Sequence, residues 1–100
     1  MTYADIGEIY FQKGKLDSAM IFTHKSIATN QADNDLIQLA YSYEMMSLLF
    51  SRQNNKDSSL FYANKQLETA RLVGRPDEFA YAYRTLSLKY SEINKTDSAF

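Results

Sequence analysis

A chain of 100 residues with 45% hydrophobic content has room for one small domain around one modest core. Lys and Arg number 11 against 12 Asp and Glu, and a net charge of −1 gives no electrostatic footprint for nucleic acid or an anionic membrane. No cysteine is present, which excludes disulfides and thiolate metal sites, and one Pro with three Gly is too few for a turn-rich β protein. No apolar run approaches the roughly 20 residues that span a bilayer, and Met1-Thr2-Tyr3-Ala4-Asp5 has neither the basic region nor the apolar core of a signal peptide.

Apolar and small residues at steps of three and four predict helices throughout. Tyr3, Ile6, Gly7 and Tyr10 place the first helix over 2–13, closed by Gly14. Asp17-Ser18-Ala19 opens the second, over 16–31, and Asp33-Asn34-Asp35 connects it to the third. That third helix, over 35–53, carries Leu36, Leu39, Ala40, Tyr43, Met46, Ser47 and Phe50 on one stripe. Asn54 stops it, since Gly and Asn accept the left-handed conformation that ends helices. Leu60, Ala63, Leu67 and Ala70 mark a fourth helix over 57–73, begun by Asp57-Ser58-Ser59. Gly74 fits a helix stop and Pro76 a first helical position, where no N–H is needed. The fifth helix, over 76–93, repeats the stripe as Phe79, Ala80, Tyr83, Leu86, Ser87 and Tyr90. A turn at Asn94 and a sixth helix from near Asp97 complete the pattern.

The same positions recur every 40 residues. Asp17, Asp57 and Asp97 correspond, as do Gly14, Asn54 and Asn94. Tyr3, Ile6, Gly7 and Tyr10 answer to Tyr43, Met46, Ser47 and Phe50, then to Tyr83, Leu86, Ser87 and Tyr90. A period in this range marks stacked supersecondary units, none of which buries its apolar face alone. The units run over 1–33, 34–73 and 74–100, the last one incomplete. That incompleteness predicts a piece of a longer protein, with one side of helix 76–93 uncovered and prone to homo-oligomerise through Tyr83, Leu86 and Tyr90.

Tyr3-x-x-Ile6-Gly7-x-x-Tyr10, followed by Gly14 and Ala19, resembles the tetratricopeptide repeat. The second copy, Tyr43, Met46, Ser47, Phe50, Asn54 and Ser59, and the third, Tyr83, Leu86, Ser87, Tyr90, Asn94 and Ala99, extend the resemblance over essentially the whole chain. The period is longer than the usual 34 residues; Thr23 and Ala63 stand where an aromatic is usual, and Gln31 and Arg71 where a Pro often closes the unit. It looks like the longer variant common in bacterial regulatory proteins. The resemblance implies an all-α, right-handed α-solenoid of antiparallel helix pairs, about two and a half repeats long.

The family's first helices line a concave groove with the face opposite their packing stripe. Carried onto this chain, that face is Ala4, Glu8, Phe11 and Gln12; Tyr41, Glu44, Leu48, Ser51 and Arg52; and Tyr81, Arg84, Leu88, Ser91 and Glu92. Tyr41/Tyr81 and Leu48/Leu88 would make an apolar track for a peptide or partner helix; alternatively, the lengthened helices use these residues for extra packing. Glu44–Arg84 and Arg52–Glu92 are expected to pair across helices. Chemistry is not indicated: His24 is the sole histidine, the glycines are scattered at 7, 14 and 74, and no carboxylate pair is set for acid–base work. No cofactor or metal is implied, and the partner is a protein or peptide. The expected function is an interaction scaffold, with a sensory or regulatory segment of a bacterial signalling protein as the alternative; RNA binding by a related helical-hairpin repeat fits the near-neutral charge and the period less well.

Overall fold

The computed structural model describes the backbone of residues 1–98 and the side chains of residues 1–91. The chain forms five helices: α1 (Tyr3–Gln12), α2 (Leu16–Ala32), α3 (Leu36–Arg52), α4 (Lys56–Val73) and α5 (Pro76–Ser98). No strand occurs among the described residues. Each helix start has a local cause. Thr2 accepts from the Asp5 N–H while the Asp5 carboxylate accepts from the Thr2 N–H, a reciprocal capping box. Asp35 caps α3 through the Gln38 N–H at 3.2 Å, and Asn55 caps α4 through the Ser58 N–H at 3.1 Å. Asp17 and Asp57 lie in first turns, where they face the positive end of the helix dipole.

The turns share one geometry. Gly14, Asn34 and Asn54 have φ of 76°, 53° and 59°, and the N–H of the following residue reaches back to the carbonyl five residues earlier. These bonds, Lys15 to Tyr10, Asp35 to Asn30 and Asn55 to Phe50, are each 2.9 Å. This is the Schellman closure. Its recurrence every 20 residues puts Asn34 in the same role as Gly14 and Asn54, an equivalence the 40-residue comparison does not reveal. Gly74, at φ 76°, ends α4, and Pro76 opens α5.

The expected turn at Asn94 does not form: α5 continues through it to Ser98, and no separate helix starts near Asp97. A left-handed residue costs roughly 1–2 kcal/mol, whereas Asn inside a helix costs under about 1 kcal/mol.

Each helix packs on the next, and α1 also approaches α3. The radius of gyration is 13.6 Å and the extents are 44 × 33 × 17 Å, a slab about two helices thick. Helix α3 shows why the units interlock. Ser42, Met46 and Leu49, all buried, belong to the side shared with α2, where the Ser42 and Ser26 hydroxyls meet at 2.8 Å and Asn30 Nδ2 donates to Ser42 at 2.8 Å. Tyr43, Ser47 and Phe50 face α4. There Ser47 Oγ donates to the Ser59 carbonyl at 2.8 Å while Ser59 Oγ donates to the Ser47 carbonyl at 2.9 Å. Buried hydroxyls thus satisfy backbone acceptors and bring the helices close.

Rings close the same interfaces. Phe22 of α2 stacks on Tyr10 at 5.6 Å and 9°, with Tyr3 at 6.3 Å; Tyr62 of α4 stacks on Phe50 at 5.6 Å and 8°, with Tyr43 at 6.1 Å. The second helix therefore supplies its aromatic one residue before Thr23 and Ala63. On α5, Ala82 and Leu86 are buried against α4 with Ala63, Leu67 and Ala70. Leu86 is thus covered, contrary to expectation, because it faces the preceding unit; Tyr83 and Tyr90 remain exposed.

Candidate partner-binding face

Tyr41 on α3 and Tyr81 on α5 meet edge to face, with ring centroids 6.5 Å apart. They are 41% and 48% exposed, so one side of each ring is open. Their hydroxyls cross over. Tyr41 Oη donates to Glu78 Oε1 on α5 at 3.4 Å, and the Tyr81 hydroxyl faces Glu44 on α3. The hydrogen bond to Glu44, then partial burial, pushes the Tyr81 pKa up to about 12. For Tyr41, desolvation comes first and the charge of Glu78 second, again raising the pKa.

Beside this pair, α1, α2 and α3 enclose a pocket of about 270 Å³. Ala4 and Glu8 line it from α1, Thr23 from α2, and Tyr41, Ser42 and Glu44 from α3. Asp5 adds a third carboxylate to the lining. The cleft is therefore largely polar and acidic, with Ala4, Met45 and the Tyr41 ring as its apolar part. No cluster of three or more His, Asp or Glu suited to a metal occurs among the described residues, and no described helix is long and apolar enough to cross a membrane.

Of the residues expected to line a groove, Glu8, Tyr41 and Glu44 meet at this pocket, with Tyr81 beside them. Phe11 is half-buried against the cluster of Ala19, Met46 and Leu49. The Arg52 guanidinium lies over the Phe11 ring at 5.0 Å, so both residues serve packing at the far end of α1 and α3. Leu48 is half-buried, Leu88 is 57% exposed, and Gln12 and Arg84 are exposed. The Glu92 side chain, and with it the expected Arg52–Glu92 pair, lies outside the described residues.

The Glu44–Arg84 pair does not form. Glu44 instead accepts from Gln66 Nε2 of α4 at 3.4 Å and faces the Tyr81 hydroxyl. A neighbouring amide and phenol satisfy a half-buried carboxylate without ordering a long Arg side chain, which exposed ion pairs seldom repay. Lys65 and Glu68 form an ion pair at 3.9 Å on the surface of α4.

Gln66 and Glu78 were not legible as site residues. Glu44 stands three residues after Tyr41 and Glu78 three before Tyr81, so the signal was the mirrored Tyr-to-Glu spacing on equivalent helices. Gln66 is 1% exposed, and its Oε1 has no hydrogen-bond partner. In the first unit Ser26 meets Ser42; forty residues later the equivalent positions are Gln66 and Ala82, and Ala82 has no hydroxyl to offer. His24 is exposed on α2, as a surface residue would be.

No family model matches the chain, and neither a curated protein nor a solved structure matches it.

Proposed function

We propose that this chain is a protein-interaction scaffold of the tetratricopeptide kind. In this reading the helices form antiparallel pairs stacked into a right-handed superhelix, and the pocket between α1, α2 and α3 and the tyrosines beside it receive a peptide or partner helix. The observation that carries the reading is the Tyr41–Tyr81 pair, two half-open rings held in place by Glu78 and Glu44 at the edge of a cleft. Aromatic rings already fixed by their neighbours lose little entropy on binding, which is why Tyr so often anchors interfaces. An apolar side chain of the partner seats against the rings. A Lys or Arg beside it faces Glu8 and adds only about 0–1 kcal/mol, as an exposed pair does.

The test is affinity across a salt series, using a peptide selected from a random library on the intact chain. Tyr81→Ala is expected to weaken binding at least about tenfold, the loss of about 1.4 kcal/mol of aromatic contact. Arg84→Ala is expected to leave it nearly unchanged. Affinity that collapses with salt, or that requires a free C-terminal carboxylate, would overturn the proposal.

A further inference from the structure

Among the described residues, no following helix covers the third ring clamp. In α1 and α3 the clamp consists of two aromatic residues seven positions apart with a small residue between: Tyr3, Gly7 and Tyr10, then Tyr43, Ser47 and Phe50. Gly7 and Ser47 are buried under the following helix, and Phe22 or Tyr62 of that helix reaches both rings with nearly the same geometry. Helix α5 carries the third set, Tyr83, Ser87 and Tyr90. Tyr83 is 57% exposed, Tyr90 is 47% exposed, and Ser87 is exposed. The adjoining strip of α5 is already committed, through Ala82 and Leu86, to α4. Tyr83 also stacks on Phe79 at 6.2 Å, which sets its ring before anything docks.

We infer that the Tyr83–Ser87–Tyr90 face is a docking site for an amphipathic helix of a protein partner, one with a small residue followed three positions later by an aromatic ring. The molecule contains that occupant twice, as Ala19 with Phe22 and as Ser59 with Tyr62, each seated on an equivalent face. The α5 face continues this interface by one register. The small residue lets the helix backbone approach Ser87 as Ser59 approaches Ser47, and the ring enters between Tyr83 and Tyr90. Pair stacking of this kind adds to the area buried, and a helix in an apolar groove is a common recognition mode. This site lies apart from the Tyr41–Tyr81 cleft and does not depend on it.

The probe is a fluorescein-labelled peptide with the sequence of residues 55–73, titrated against the full chain. Saturable binding is expected, weakened at least about tenfold by Tyr83→Ala with Tyr90→Ala, by Ser87→Arg, or by Tyr62→Ala in the peptide. Tyr81→Ala in the chain should leave it unchanged, which separates this site from the cleft. The substituted residues are exposed, and circular dichroism would verify that the variants stay folded. Three results would overturn the inference: no binding at millimolar peptide, binding indifferent to the α5 substitutions, or self-association of the chain that those substitutions abolish, which would give the face to a second copy.

Discussion

Gly7 and Thr23 exchange volume with Ser47 and Ala63 one repeat later, and that exchange can be tested. A Cβ built on Gly7 would lie 3.0 Å from Thr23 Oγ1, too close without a shift, and 3.5 Å from the Ala19 carbonyl oxygen. The Thr23 hydroxyl already donates to that carbonyl at 2.7 Å. In the second unit Ser47 donates to the equivalent carbonyl, that of Ser59, at 2.8 Å, and Ala63 leaves the space free. Gly7→Ser alone therefore crowds Thr23 and brings a second hydroxyl to one acceptor. Overpacking costs about 1–3 kcal/mol, offset by roughly 0.5 kcal/mol because Ser is a better helix former than Gly. The net loss is about 0.5–2.5 kcal/mol, a fall in Tm of about 2–20 °C for a domain this size. Thr23→Ala removes the clash and frees the Ala19 carbonyl for the introduced hydroxyl, recreating the Ser47–Ser59 contact. Thermal denaturation of both single variants and the double variant should show the double at least about 1 kcal/mol more stable than additivity allows. Additivity within about 0.5 kcal/mol would refute the reasoning.

Stability should fall as pH rises from about 10 toward 12. Tyr41 and Tyr81 are raised from 10.0, so the unfolded chain loses those protons first and the contribution vanishes above the folded values; absorbance titration of Glu44→Gln should find Tyr81 ionising earlier. Ala82→Ser offers Gln66 Oε1 the hydroxyl that Ser42 offers Ser26, and urea denaturation should register a gain of up to about 1 kcal/mol, the size of a satisfied buried hydrogen bond. Ser47→Ala should cost about 0.5–1.5 kcal/mol by the same measurement, since it removes one of the two reciprocal hydrogen bonds.

Most helix limits were legible because their causes are local. Gly14, Asn54, Gly74 and Pro76 act through their own backbone within a few residues, and α1 to α4 fall within about one residue of expectation. The α5 end was not: α5 runs through Asn94 to Ser98, and Asn is tolerated inside a helix at under about 1 kcal/mol. At the site, helical spacing placed Tyr41, Glu44 and Tyr81 on one face. Spacing cannot say whether a carboxylate prefers a guanidinium or a phenol, so Glu44 was assigned to Arg84 when Gln66 and Tyr81 were nearer. Phe11 and Arg52 turned to packing for a related reason: a ring and a guanidinium at the ends of adjacent helices stack on each other before either waits for a partner. The ring clamps were hidden because Phe22 and Tyr62 sit one position from where the resemblance directs attention.

Binding beside Tyr41 and Tyr81, as proposed, is tested most directly by chemical-shift mapping on isotopically labelled full chain, titrated with the library-selected peptide. Perturbations are expected to concentrate at Glu8, Tyr41, Ser42, Glu44 and Tyr81, and Tyr81→Ala to remove them. Perturbations confined to the outer positions of α2 and α4, such as Ile21, His24, Phe61 and Asn64, with the tyrosine pair unmoved, would contradict it.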